Sequence, residues 1–131
     1  MVRITGVIGS FAVDNIEAAK HFYQGTLELE AKSALPGEAG PLWVGAGEGP
    51  RVFVYGKPDH APASFTVLNL AVEDIEAAVD DLVERGITFL RLEGIPQDER
   101  GIYHGPGHSI AWFSDPAGNS LAVVKLSPVE A

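Results

Sequence analysis

Ala12-Val13-Asp14-Asn15-Ile16-Glu17-Ala18-Ala19 recurs 59 residues downstream as Ala71-Val72-Glu73-Asp74-Ile75-Glu76-Ala77-Ala78. Six of the eight positions are identical, and the other two exchange one polar or acidic residue for another. A copy spaced at nearly half of 131 residues signals two structural modules in one unit. Each copy sits where an apolar run gives way to a helical pattern. Val7 to Val13 and Phe65 to Val72 read as buried strands. Asn15, or Asp14 one place earlier, is a helix N-cap with Glu17 in the first turn, where the helix dipole favours an acid; the second helix starts at Asp74.

Ile16, Ala19, Phe22 and Tyr23 form one helical face, and Ile75, Ala78, Val79, Leu82 and Val83 form its counterpart. Gly25 and Gly86 are the expected helix stops. Leu27-Glu28-Leu29 leads into a strand, and Leu42–Val44, Val52–Tyr55, Ile87–Leu90, Ser109–Phe113 and Ser120–Leu126 read as further strands. The turn Asp115-Pro116-Ala117-Gly118-Asn119 joins the last two, a loop holds Pro36, Gly37, Gly40 and Pro41, and Ser127 to Ala131 is a loose tail. Each module therefore reads strand, helix, three strands. The expected fold is α+β, two βαβββ modules at about 1–57 and 64–127 within a single domain over 1–131, joined by a connector near 57–63.

Hydrophobic residues make up 46% and charged residues 21%, a globular balance. No apolar run reaches membrane-spanning length and no basic-then-apolar leader opens the chain, so a cytoplasmic location is the default expectation. The absence of cysteine excludes disulfides, thiolate nucleophiles and cysteine-type zinc or iron–sulfur sites. A net charge of −9 argues against nucleic acid and suits a cationic or neutral small ligand, or serves solubility alone. Gly45, Gly47 and Gly49 are not followed by Lys-Ser/Thr, so they read as a hairpin turn, not a phosphate loop. Ser10, Ser64 and Ser109 sit in no recognisable nucleophile elbow.

The repeated helix starts, the His21-Phe22-Tyr23 that follows the first, and Trp112-Phe113-Ser114-Asp115-Pro116-Ala117-Gly118-Asn119 resemble the vicinal oxygen chelate superfamily, the group of glyoxalase I, bleomycin-resistance proteins and extradiol dioxygenases. The resemblance covers nearly the whole chain. It implies open, curved mixed sheets that form a cavity, commonly in a homodimer that sometimes exchanges modules between chains. Metal-binding members place a His seven residues before the residue that caps each helix and a Glu in the last strand of each module. Those positions here are Ile8, Val67 and Ala122, and the strand Arg51-Val52-Phe53-Val54-Tyr55 holds no carboxylate. An alkyl group offers a metal no lone pair. The resemblance thus implies the fold without the usual metal site and without a cofactor, and it argues against glyoxalase I and ring-cleavage chemistry.

The histidines elsewhere in the chain offer donors or bases. His104 and His108 flank Gly105-Pro106-Gly107, which cannot be helical, with Asp98 and Glu99 close by; they are exposed loop histidines or an unusual metal site. His60 lies in the connector, facing a cavity or water, and His21 lies on the helix surface. Trp43, Phe53, Tyr55, Tyr103, Trp112 and Phe113 fill core or stack on a planar or cationic guest; Trp112 and Phe113 point to opposite faces, while Phe53 and Tyr55 share one. Asn69 shares the face assigned to Val67 and either meets a ligand or satisfies the backbone.

The leading expectation is a metal-independent small-molecule binder resembling bleomycin-type resistance proteins. Its ligand residues would be Trp43, Tyr55, His60, Asn69, Tyr103, His108 and Trp112. The rival is a glyoxalase-like lyase, isomerase or dioxygenase that recruits His60, His104, His108 or Glu99 as base. A third class is a regulatory or structural dimer with a vestigial cavity. The expected partners are a small molecule, cationic or aromatic, and a second copy of the chain, with no nucleic acid and no membrane.

Overall fold

The structure, a computed structural model, describes residues 2–35 and 40–126. The Pro36-Gly37 part of the expected loop and the tail from Ser127 to Ala131 lie outside the described residues. The chain divides into two compact units, Met1–Ala61 and Pro62–Ala131.

The first unit comprises β1 (Ser10–Val13), α1 (Ile16–Lys20) with a π-helical extension (His21–Thr26), β2 (Glu30–Ser33), β3 (Leu42–Gly45) and β4 (Val52–Gly56). The second comprises β5 (Thr66–Ala71), α2 (Ile75–Glu84), β6 (Tyr103–Gly105), β7 (His108–Ser114) and β8 (Ser120–Leu126). Their sheets have matching orders, β1-β4-β3-β2 and β5-β8-β7-β6. In each, the first strand runs parallel to the last and the remaining pairs are antiparallel. Two four-stranded mixed sheets with few helices make the fold α+β, one βαβββ unit per repeat.

The repeat earns its place at the helix starts. Asn15 Oδ1 accepts the Ala18 N–H at 3.0 Å, and Asp74 Oδ1 accepts the Ala77 N–H at 3.1 Å. Each satisfies an orphan donor of the first turn, and truncating such a cap costs about 1 kcal/mol. α2 ends at Glu84, and past it Gly86, at φ 94°, lets Ile87 N–H close back onto the Leu82 carbonyl at 3.0 Å.

The core of each unit lies between its helix and one face of its sheet. In the first, Phe11, Val13, Leu42, Val44 and Val54 are buried beside the fully buried Tyr23, whose ring sits 6.0 Å from Phe11 and 5.2 Å from Phe22. In the second, Ala111, Phe113, Leu121 and Val123 share the face on which α2 lays Ile75, Val79 and Leu82. Phe89 meets Phe113 edge-on at 5.5 Å. Truncating a ring packed like Phe113 costs about 3–5 kcal/mol.

Four expectations are corrected. The first strand covers only the last four residues of Val7 to Val13, and Val7 and Ile8 are exposed. Gly25 does not stop the first helix: the chain passes it in a wide turn closed by Leu27 N–H on the Phe22 carbonyl, and the reversal comes at Glu28, with φ 57°. Ile87–Leu90 is not a ladder strand. Leu90 N–H bonds to the Trp112 carbonyl there, and the module's second strand is β6, Tyr103–Gly105. Finally, a β-bulge between Thr66 and Leu68 interrupts the alternation that put Val67 and Asn69 on one face.

Candidate functional site

Each sheet has a second face, turned away from its helix, and the half-exposed aromatics gather there. In the first unit Trp43 and Phe53 lie directly opposite on neighbouring strands, with ring centroids 5.0 Å apart. Tyr55, two residues along the same strand, stacks 6.4 Å from Phe53 and is 38% exposed. The three rings form a ladder across β3 and β4, flanked by Lys32 and Ser10 in the same cross-strand row. Phe53 was not among the expected ligand residues, although its shared face with Tyr55 was readable. Below the ladder, Arg51 folds over Gly45 and donates to Glu30 Oε1 at 2.9 Å.

The second unit presents two adjacent rows on its open face. Asn69, Ala122 and Trp112 form one row across β5, β8 and β7. Ala71, Val124, Ile110 and Tyr103 form the next. Beyond them lies the pair His108 and Gly105. A carbonyl oxygen only accepts, so the contact of His108 Nδ1 with the Pro106 carbonyl at 3.0 Å makes Nδ1–H the donor. In the neutral ring this leaves Nε2 with its lone pair for another partner. Tyr103 and His108 rings stand 5.7 Å apart. Tyr103 packs close against Gly105: a β-carbon there would meet its ring carbon at 2.6 Å. Asn69, Tyr103, His108 and Trp112 are therefore gathered on one face, while Trp43 and Tyr55 share a face of the other unit. His60 also belongs to the first unit, in the turn closed by its N–H on the Lys57 carbonyl.

The metal positions can be tested on donor chemistry. Ile8 precedes the strand and is 63% exposed, Val67 sits at the bulge, and Ala122 is buried between Trp112 and Asn69. None carries a lone pair, and no group of three or more His, Asp or Glu side chains is clustered among the described residues. These residues do not fit the divalent ion of metal-binding relatives.

The candidate bases lie elsewhere. Glu99 is exposed, and its carbonyl accepts from Arg91 at 2.7 Å. With Arg91, Arg100, Asp80 and Phe89 it borders a pocket of ≈ 390 Å³ on the helix side of the second unit. His104 points away from His108, because neighbours along β6 and β7 alternate faces. Its Nε2 lies 2.8 Å from Asp98 Oδ2, and its Nδ1 lies 3.3 Å from Ser109 Oγ. Asp98 Oδ1 accepts the Arg100 and Ile102 N–H groups, each at 2.9 Å. Burial pushes the Asp98 carboxyl up, but the His104 bond and these two N–H groups outweigh it and hold it below the usual aspartate value. No motif linked Asp98, His104 and Ser109 in the sequence; only the β6–β7 register brings them together.

A profile of the Glyoxalase/Bleomycin resistance protein/Dioxygenase superfamily matches residues 4–123. The chain belongs to this superfamily. No curated protein sequence matches it. Among solved structures it is similar to TnmS3, an antibiotic binding protein from Streptomyces sp. CB03234, with 27% identity, TM-score 0.73 and coverage of 97% of this chain and 100% of that one. A superfamily member from Sphaerobacter thermophilus DSM 20745 is 25% identical, with TM-score 0.69 and coverage of 92% and 97%. Lactoylglutathione lyase from Agrobacterium tumefaciens shares the fold at 20% identity and TM-score 0.62, over 93% and 94%. Among the described residues, no helix is long and apolar enough to cross a membrane.

Proposed function

We propose that this protein binds a small aromatic or cationic organic molecule on its open sheet faces, without a metal ion and without turning it over, as a cytoplasmic homodimer. The observation that carries the reading is the placement of half-exposed rings: Trp43, Phe53 and Tyr55 on one face, Trp112 and Tyr103 on another. Rings in these positions offer flat apolar area and a negative π-face. The net charge of −9 favours a positively charged guest. The likeness to an antibiotic binding protein supports a drug-like ligand, and the alkyl groups at Ile8, Val67 and Ala122 support metal independence.

The test is a thermal-shift screen of cationic and neutral aromatic antibiotics. A native-state ligand at a hundredfold excess over Kd stabilises by about 2.7 kcal/mol. The expected result is saturable stabilisation that is unchanged by EDTA and leaves the compound intact by mass spectrometry. Trp43→Ala and Trp112→Ala should each weaken binding at least about tenfold, as truncated aromatic anchors do. Loss of stabilisation on chelation, or conversion of the ligand, would overturn the proposal.

A further inference from the structure

The helix-side face of the second sheet carries a different constellation. His104, Ser109 and Lys125 lie side by side across β6, β7 and β8, since Ser109 pairs with His104 on one side and with Lys125 on the other. Directly opposed residues share a face, with β-carbons about 5 Å apart. A carboxylate only accepts, so the Asp98 contact makes Nε2–H of His104 the donor. In the neutral imidazole, Nδ1 then holds the lone pair, and it is this atom that lies 3.3 Å from the Ser109 hydroxyl. Asp98 cannot swing freely, because its other oxygen is fixed by the two backbone N–H groups of its loop.

A hydroxyl beside an imidazole lone pair, an imidazole oriented by an anchored carboxylate, and a lysine at the paired position on the serine's other side are the parts of an activated nucleophile. We propose that Ser109 is a nucleophile for acyl transfer from small, activated carboxylic esters. His104 is its base, Asp98 is a positioning residue for that base, and Lys125 faces the developing oxyanion. Ser109 Oγ bonds to the acyl carbon as its proton passes to His104 Nδ1. The ester C–O bond then breaks, and the departing alkoxide takes that proton. Water attacks the acyl carbon in turn, gives a proton to Nδ1, and the C–Oγ bond breaks with return of the proton to Ser109. This chemistry lies on the opposite sheet face from Trp112 and Tyr103, so its failure leaves the binding proposal standing.

The experiment treats the intact protein with an alkyl fluorophosphonate, which bonds phosphorus to a reactive serine oxygen and releases fluoride. Mass spectrometry should find one adduct, mapped to Ser109 and absent from Ser109→Ala. His104→Gln leaves the loop anchor in place; it should slow labelling about a hundredfold at unchanged melting temperature. Lys125→Met should slow it about tenfold, an exposed cation contributing less than a buried oxyanion donor. Asp98→Asn offers an N–H to Nε2 and so favours the wrong tautomer. Its labelling should fall, and Asp98→Glu, which keeps a carboxylate for Nε2–H, should restore part of the rate. Absence of an adduct, an adduct elsewhere, or equal rates in wild type and His104→Gln would overturn the proposal.

Discussion

Asp115 commits both carboxylate oxygens to its own turn. Oδ1 accepts the N–H groups of Ala117 at 3.0 Å and Asn119 at 2.9 Å, and Oδ2 accepts the Asn119 side-chain amide at 3.0 Å. Asp115 is 5% exposed and Asn119 is 1% exposed. Removing the carboxylate takes an acceptor from three donors in a turn whose Asp115 and Asn119 are buried. Asp115→Ala should therefore cost about 3 kcal/mol, on the scale of charge-assisted hydrogen bonds, and lower the melting temperature by roughly 10 °C. Gly118 sits at φ 86°, and a β-carbon there would meet Pro62 Cγ at 2.9 Å. Gly118→Ala should cost about 1–2 kcal/mol from the left-handed backbone alone. Urea titration of both variants checks the order; equal stability with wild type would contradict this account of the turn.

The elements show what a sequence can and cannot announce. Both helix starts were legible because a capping side chain and its first turn are local chemistry, and the repeat stated them twice. Alternation alone put Trp112 and Phe113 on opposite faces of β7 and Phe53 and Tyr55 on one face of β4. What escaped was non-local. The residues after Gly86 have strand-like composition, but Tyr103–Gly105 takes the edge of β7. The bulge near Val67 depends on register with β8. The Asp98–His104–Ser109 chain exists only once β6 and β7 pair. The long α2 shows another such tie. Glu76 and Asp80 lie one turn apart and repel, and Arg100 from a distant loop grips Asp80 through two nitrogens, at 2.9 and 3.2 Å, and reaches Glu76 at 3.3 Å. The Arg100 hydrogen bond holds the Asp80 carboxyl below its usual value. A depressed carboxyl stabilises the fold above its unfolded pKa of about 3.9 and loses that contribution as pH falls through the lower folded value. The melting-temperature gap between wild type and Arg100→Gln should therefore be full at neutral pH and shrink below about pH 4. A gap that widens in acid would contradict the sign.

Across the whole molecule, charge and apolar surface are unevenly shared. Residues 1–61 carry seven carboxylates against five basic residues, whereas 62–131 carry eleven against four. The stretch before β1 exposes Val2, Ile4, Val7 and Ile8, at 82%, 76%, 90% and 63%, and contains Arg3 without an acid. An apolar run open to water favours a partner chain, and it supports the proposed homodimer. Ile4→Asp together with Ile8→Asp should shift sedimentation from dimer to monomer while leaving the helix signal intact; a wild type that sediments as a monomer would remove the dimer from the account. The two matching helix caps have one more consequence. Asn15 is neutral and Asp74 an anion, so exchange to Ala at position 15 and at position 74 compares an uncharged with a charged cap under identical solvent, temperature and concentration. The difference between the two losses combines the charge at the cap with the unequal lengths of α1 and α2.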